Sequence, residues 1–304
     1  MVDASRRQFM VHAANAGVIG AGLLAAAAAR SAQPHPLPDF ADPAQRLEAK
    51  VKMIGTLDEA PVHTLVRIHI YGYGHEGNLT PFFSMHNYAV NFWRRLANGN
   101  YQVRVYETGI YTAFDSQDVI TEWRNPYTDE IREVQQFRSG PLTVEFGPDG
   151  IVPGPETTVK PVAMAIEVIE DSIIHNTQSS FAFPSPFMPE EFPKESPGRM
   201  FFWDSHYTHM SPANTVADPK VRNAPANITL TNLVSWNPWL GMAQRPGRTF
   251  GRGVGRKIDG PRSLPPQVLE GLREHTPQVL DIDNWGPPYN DIADYKNKLR
   301  KARG

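Results

Sequence analysis

Residues 62–73 read VHTLVRIHIYGY, and this stretch decides the fold class. Val66, Ile68 and Ile70 alternate with polar and aromatic residues, and a period of two is typical of a β-strand with two different faces. The second face carries four residues with reactive or hydrogen-bonding groups: Arg67, His69, Tyr71 and Tyr73. The stretch therefore predicts a strand with one aliphatic face and one polar face.

Further extended segments occur along most of the chain. Strands are predicted at residues 53–57, 101–114, 119–123, 131–137, 141–146, 199–209 and 228–236. Residues 125–129 read NPYTD, which indicates a turn that joins the two flanking segments as a hairpin. Residues 160–170 fit either a helix or a strand, and the proline-rich residues 184–197 predict an ordered loop.

Helices are predicted mainly in the last part of the chain. Residues 266–275 and 291–303 have helical periodicity, and residues 45–52 predict a short helix near the start. The 28 prolines and 23 glycines are many for a helical protein. We therefore expect a mainly β fold, an antiparallel barrel-like (calycin or lipocalin-like) single domain over residues 33–304 with a few flanking helices and a helical C-terminal tail.

Residues 1–32 have the features of a twin-arginine (Tat) signal peptide. Residues 5–10 read SRRQFM, a run of mostly Ala and Gly follows at 13–29, and small residues at 29–33 offer a cleavage site. The run is too short and too poor in large apolar side chains for a membrane anchor. We therefore expect export by the Tat machinery to the periplasm, cleavage, and no attachment to the membrane afterwards.

Composition excludes several kinds of chemistry. The chain has no cysteine, which excludes disulfides, thiolate metal sites and cysteine nucleophiles. The formal net charge is −2 at pH 7, so the chain has no general attraction for nucleic acid or anionic lipid. We expect no nucleic-acid partner.

Three motifs cover much of the chain in a fixed order. They read GTLD at 55–58, WRNPYTDE at 123–130 and WNPWLGMAQRPG at 236–247, the last followed by GRK at 255–257. Together they resemble the bacterial family catalogued as domain of unknown function 1838, whose members often carry the same type of export signal. The resemblance implies no activity. Tryptophans expected after the first motif are replaced here at residues 65–67, which implies a reshaped pocket.

The polar face of the first strand is the first candidate site. Alternate residues of a barrel strand line the interior, so this face is predicted to line a pocket, with exposure to solvent as the alternative. His69 is the expected acid or base because its pKa lies near neutrality, and Tyr71 is expected to stabilise an oxyanion. The candidate catalytic residues are His69, Tyr71, Tyr73 and Glu107.

A second strand offers more polar groups. Arg104 and Tyr106 join the same cavity if their strand pairs with the first one. Glu107 lies on the other face of this strand, with Val103 and Val105. Either Glu107 or the pair Arg104 and Tyr106 must therefore point away from the cavity. The candidate substrate-binding residues are Arg67, Arg104, Tyr106, Trp123, Trp236, Trp239 and Arg245.

Signals for metals and cofactors are weak. His206 and His209 point to opposite faces of an extended segment, and the chain has no H-E-x-x-H pattern and no phosphate-binding glycine loop. A three-histidine site from distant strands stays open as an alternative. The basic residues 244–257 are interpreted as a turn whose arginines pair with surface acids, with binding of a ligand's carboxylate or phosphate as the alternative. Arg245 is the exception, because the tryptophans of the third motif are expected to hold its guanidinium. We expect no metal and no cofactor.

These observations favour one function over two rivals. The leading interpretation is a periplasmic enzyme, a lyase or isomerase, that acts on a small apolar or aromatic compound, such as a phenolic, by cofactor-independent acid–base chemistry. The first rival is a non-catalytic small-molecule binding protein with the same pocket. The second rival is a metalloenzyme with histidine ligands.

Overall fold

The computed structural model describes residues 35–153 and 165–303, and its largest element is one antiparallel β-sheet. The predicted signal segment at 1–32 lies outside the described residues. The strands are β1 (Val62–Gly74), β2 (Leu79–Arg95), β3 (Tyr101–Thr112), β4 (Glu122–Arg124), β5 (Ile131–Glu133), β6 (Phe137–Gly147), β7 (Gly150–Ile151), β8 (Ile166–Ile169), β9 (Ser172–Pro184), β10 (Met200–Pro212), β11 (Asn227–Val234), β12 (Gly247–Ile258) and β13 (Tyr289–Asn290). The helices are α1 (Pro43–Ile54), α2 (Ala213–Ala217), α3 (Pro266–His275) and α4 (Asp291–Arg303).

Ten strands follow one another in the order β13-β6-β3-β2-β1-β12-β11-β10-β9-β8, and β7 pairs with β6 beside this path. The sheet forms a half-barrel, which confirms the predicted mainly β, barrel-like single domain. Strand β1 lies in the middle, between β2 and β12. Both predicted C-terminal helices are confirmed as α3 and α4. No described helix is long and apolar enough to cross a bilayer.

Strand β12 replaces the turn predicted at 244–257, and that prediction is wrong. Its glycines make the strand possible rather than breaking it, because they let β12 approach the side chains of β1. A Cβ at Gly253 would stand 2.8 Å from Cγ1 of Val66. Among the described residues, no acid forms an ion pair with the strand's three arginines: Arg248, Arg252 and Arg256.

Helix α1 covers one end of the sheet. It begins after Asp42, whose side chain accepts a hydrogen bond from the backbone N–H of Ala44 at 2.8 Å. The strand predicted at 53–57 is wrong, because the helix continues to Ile54 and buries Met53. Leu47 and Val51 of α1 pack against the residues at this end of β2, β3 and β6: Trp93, Tyr101, Val103 and Phe146.

An aromatic end cluster fills the opposite end of the sheet. Its main members are Phe82, Phe83, Tyr111, Trp123, Trp236 and Trp239. The predicted hairpin is confirmed as β4 and β5, and the N–H of Val134 donates to the carbonyl of Thr121. Asn125 holds the turn, because it accepts from the N–H of Tyr127 and donates to the carbonyl of Leu240, each at 2.8 Å.

One side of β2 and β3 is covered by the chain from residue 261 to 285. Leu264, Val268 and Leu272 pack on Tyr88 and Ile110 in a buried cluster that also contains Trp285. This cover leaves β12, β11 and β10 without a similar layer on the same face, where Val254 is 68% exposed. The same face of the sheet is therefore core at one part and surface at another.

Candidate functional site

The sheet curls toward the face that carries Val66, Ile68 and Ile70, called here the concave face. Five strand spacings, about 24 Å along the sheet, separate Glu107 on β3 from Tyr207 on β10. Burial raises the pKa of Tyr207, and the charge of Glu107 adds to this effect. Charges interact over shorter distances than 24 Å in salt solution. The two side chains therefore face each other across the concave face.

Glu107 and Asn87 form a bonded pair on the β2–β3 wall. Both lie on the concave face, because Asn87 is opposite Val66 and Glu107 is opposite Ala89. Nδ2 of Asn87 donates to Oε1 of Glu107 at 2.8 Å. Burial raises the pKa of the Glu107 carboxyl, and the bond from Asn87 offsets only part of this rise. A carboxyl with a raised pKa suits proton transfer near neutral pH.

The β9–β10 wall carries hydroxyl and imidazole groups. Ser205, Tyr207 and His209 occupy alternate positions of β10, and Thr177 and His175 stand opposite the last two on β9. The ring centroids of the two histidines are 6.4 Å apart. His175 is 2% exposed, and neither of its ring nitrogens has a hydrogen-bond partner among the described residues. Nδ1 of His209 also lacks one there.

Both histidines are neutral at pH 7. Burial lowers the pKa of His209 to about 4, with Lys257 as a second cause. Burial lowers the pKa of His175 to about 3, and Lys50 and His209 contribute. Burial alone would lower the pKa of Lys257 to about 7, but four oxygen acceptors at 2.6–3.0 Å surround its Nζ. These acceptors favour the charged ammonium, which keeps the neighbouring imidazole uncharged.

An aromatic platform continues this wall toward the aromatic end of the sheet. Phe181 and Phe183 on β9 and Phe201 and Trp203 on β10 share the concave face with His175 and His209. The rings of Phe181 and Trp203 lie 6.2 Å apart at 9°, and Phe181 is 40% exposed. One surface of two strands therefore changes from aromatic rings to hydroxyls to imidazoles, an arrangement that fits a ligand with a flat apolar end and a polar end.

The structure places the polar residues of β1 on the opposite, convex face: Arg67, His69, Tyr71 and Tyr73. Oγ of Ser84 lies 2.9 Å from Nδ1 of His69 and donates to the carbonyl of Phe114 at 3.0 Å. The ring of Phe114 packs on His69 and Tyr71, at 5.1 and 5.3 Å between centroids. Burial and then the charge of Arg67 lower the pKa of His69. The predicted constellation is assembled, but it does not line the interior.

Arg104 and Tyr106 also lie on the convex face, but at a different place. Strand β2 separates β3 from β1, so the direct pairing that would bring them beside His69 does not occur. Tyr106 is buried, and the guanidinium of Arg104 lies 4.8 Å from the ring centroid of Trp285. Glu107 points the other way, toward the concave face.

The tryptophans predicted to bind substrate belong to the aromatic end cluster. Trp236 and Trp239 are each 2% exposed, and Trp123 packs against Trp239 at 6.0 Å between centroids. The guanidinium of Arg245 lies 5.3 Å from the ring centroid of Tyr127 and donates to the Tyr127 carbonyl. Trp236 contacts the backbone of Arg245 instead, because its Nε1 donates to the Arg245 carbonyl at 2.7 Å. These three tryptophans close one end of the sheet.

Sequence reasoning missed Tyr207 and His175 and undervalued His209. The alternation of Phe201, Trp203 and Ser205 with Tyr207 and His209 is readable in the sequence, but β9 was not recognised as a strand. Its alternating residues pair with those of β10 in register. Within residues 35–153 and 165–303, no group of three or more His, Asp or Glu residues is placed to hold a metal ion.

Comparison with known proteins gives a family and no activity. No curated protein matches the chain. The model of the family DUF1838, described as a protein of unknown function, matches residues 69–292. The match includes both walls of the concave face and the aromatic end cluster. Because the match extends over well more than half of the sequence, the chain belongs to the DUF1838 family.

Proposed function

We propose that the protein is a periplasmic enzyme, a lyase or isomerase, that acts on a small apolar or aromatic compound by acid–base catalysis without a cofactor. The interaction between Glu107 and Tyr207 carries the proposal: Glu107, with a raised pKa, faces Tyr207 across the concave face. His209 lies two residues beyond Tyr207 on the same face of β10. The periplasmic location depends only on the signal sequence at residues 5–10.

Each of the three groups has a role that fits its environment. Glu107 removes a proton from a carbon of the substrate, since a carboxylate with a raised pKa is a stronger base. Tyr207 keeps its proton because its pKa is raised, and it donates a hydrogen bond to the oxyanion that develops. The proton held by Glu107 then returns to a neighbouring carbon, which completes an isomerisation, or leaves with a departing group. Neutral His209 beside Tyr207 accepts or donates a hydrogen bond to the same end of the substrate.

The surroundings support an aromatic or apolar substrate. Aliphatic residues form the floor between the two walls, including Val66, Ile68 and Leu230. The aromatic platform offers Phe181 and Trp203 as exposed or half-exposed rings on the same surface. A planar phenolic compound stacks on such rings while its oxygen reaches Tyr207.

Glu107→Gln tests this function because it keeps the side-chain shape and the Asn87 contact while removing the base. Purified protein is incubated with a panel of plant phenolic compounds, and products are detected by mass spectrometry. We expect turnover to fall by about 10²–10⁴, with binding of the same compound retained. Glu122→Gln, at an exposed position of β4, is the matched control and should keep full turnover.

Three results would count against the proposal. Unchanged turnover in Glu107→Gln removes Glu107 from the mechanism. Binding of a phenolic compound without any conversion favours a carrier with the same pocket. Loss of turnover on treatment with a chelator, restored by a metal ion, favours the metalloenzyme.

A further inference from the structure

Several buried polar atoms at neighbouring positions of the convex face have no hydrogen-bond partner among the described residues, and they lie away from the proposed active site. They are Nε of Arg67, Nδ1 and Nε2 of His86, and Oγ1 of Thr112. Arg67 stands directly opposite His86 in the β1–β2 pairing. Thr112 is the diagonal neighbour of His86 across β2 and β3, because it pairs with Ser84. His86 is 2% exposed and Thr112 is fully buried.

The guanidinium of Arg67 is held only weakly by the part of the chain that the structure describes. Its Nη2 donates only to the carbonyls of Phe114 and Ser116, at the long distances of 3.5 and 3.4 Å. Among the described residues, no carboxylate lies within ion-pair distance of its guanidinium. The nearby Asp118 is engaged with Ser116, and Asp115 is exposed. A partly buried guanidinium with an unpaired N–H is costly unless a negative charge or an acceptor meets it.

The groups around this position are mainly donors. Arg67 offers Nε–H, His86 offers one ring N–H, and Thr112 offers a hydroxyl. The proton of Ser84 goes to the Phe114 carbonyl, so Nδ1–H of His69 is directed at Ser84. Positive charge is also nearby, since Arg252 stands opposite His69 on β12. A cation is disfavoured here, and an acceptor with negative charge is favoured.

We propose that Arg67, His86 and Thr112 form a binding site for one small monovalent anion, a halide or formate. The deep burial of His86 and Thr112 restricts the size of the ligand. The loop 113–118 lies beside this position, because its carbonyls accept from Arg67. The site lies on the opposite face of the sheet from Glu107 and does not depend on the proposed function.

The experiment compares anions at one ionic strength. Protein is transferred into sodium gluconate, whose anion is too large for the site, and chloride, bromide or formate then replaces gluconate stepwise. We expect a saturable rise in the thermal unfolding midpoint with each small anion. Arg67→Met should abolish the rise. Arg256→Met, at an exposed arginine on the same face, is the matched control and should keep it.

A second variant and a direct measurement guard against a folding defect in Arg67→Met. Thr112→Val is nearly isosteric and should weaken chloride binding about 10-fold through loss of one hydrogen bond to a charged ligand. Crystals grown with bromide should show an anomalous peak between Arg67 and His86. Equal unfolding midpoints in all salts overturn the proposal. So does a bromide-free site that holds only ordered water.

Discussion

The concave and convex faces of the sheet both carry buried histidines, but in different company. On the concave face, His175 and His209 share a wall with Tyr207, and Glu107 stands across from Tyr207. On the convex face, His86 lies beside Arg67, whose guanidinium forms no ion pair with a carboxylate of the described residues. Burial lowers the pKa on both faces, for example to about 3 for His175 and about 4 for His86. Burial of a histidine therefore does not identify a catalytic site, and the groups that face it do.

The two faces also differ in what covers them. The convex side of β2 and β3 is sealed by the segment that contains α3, with Leu272 and Val268 fully buried. The concave face is covered mainly at its ends, by α1 and by the aromatic end cluster. The difference indicates that the convex side of β2 and β3 serves stability, whereas the middle of the concave face carries the buried titratable groups Glu107, Tyr207 and His209.

Leu272→Ala should give the largest effect on stability and tests the role of the convex cover. The side chain is fully buried against Tyr88 and Ile110. Its truncation is expected to lower the free energy of unfolding by about 2–5 kcal/mol, measured by urea denaturation. Val254→Ala, on the exposed part of the same face, should change it by less than about 0.5 kcal/mol. Equal effects of the two variants would show that the cover is not a core.

A pair of tyrosine variants compares the two faces in catalysis. Tyr207→Phe removes the hydroxyl proposed to stabilise the oxyanion, so turnover should fall by about 10²–10³. Tyr71→Phe makes the same chemical change on the convex face, beside Phe114, and should leave turnover within about 2-fold of the wild type. Turnover of a phenolic substrate is measured for both. The reverse ranking would move the active site to the convex face.

Lowering the pH should reduce the free energy of unfolding, and we expect this effect to be smaller than those of the Leu272 and Tyr207 variants. The folded pKa of His175 is about 3, below the ordinary value of 6.5, so the unfolded chain binds the proton more tightly. Stability is therefore lost as the pH falls from about 6.5 toward 3, by at most about 1.4 kcal/mol per pH unit for this residue. Urea denaturation at pH 7, 6 and 5 measures the slope.

His175→Gln should flatten this slope, and His86→Gln should do the same on the convex face when gluconate is the anion. Chloride should reduce the contribution of His86 alone, because a bound anion raises the pKa of the imidazole beside it. A slope that neither variant changes would contradict the assignment of these two histidines as neutral, desolvated groups.

The sequence predicted strands and helices correctly where a single hydrophobic periodicity dominates. The alternation around Ile68 predicted β1, and the helical period predicted α3 and α4. The turn at Asn125 was also predicted, because Asn and Pro have specific roles there. The turn predicted for β12 was wrong, since glycine normally weakens a strand and here permits close contact with Val66.

The site could be predicted only in part, because an alternating pattern separates two faces of a strand without showing which face lies inside the fold. The period of two separates His69 from Ile68, but it does not say which of them faces the inside of a curved sheet. Curvature arises from pairings between distant strands, such as β1 with β12, which local patterns do not contain. Parity alone could therefore not choose between Glu107 and its neighbours Arg104 and Tyr106, and His175 lies in a strand that was not recognised.

The central position of β1 has a consequence for how the chain reaches its native state. One neighbour, β2, follows it directly in sequence, whereas the other, β12, lies near the far end of the chain. A chain emerging from the ribosome therefore holds β1 with an unpaired edge and exposed Val66 and Ile68 until residues 247–258 have been made. Contacts between such distant segments carry a loop-closure cost and slow the search. The strands on either side of β12 are therefore joined into one sheet only once residues 247–258 have been made.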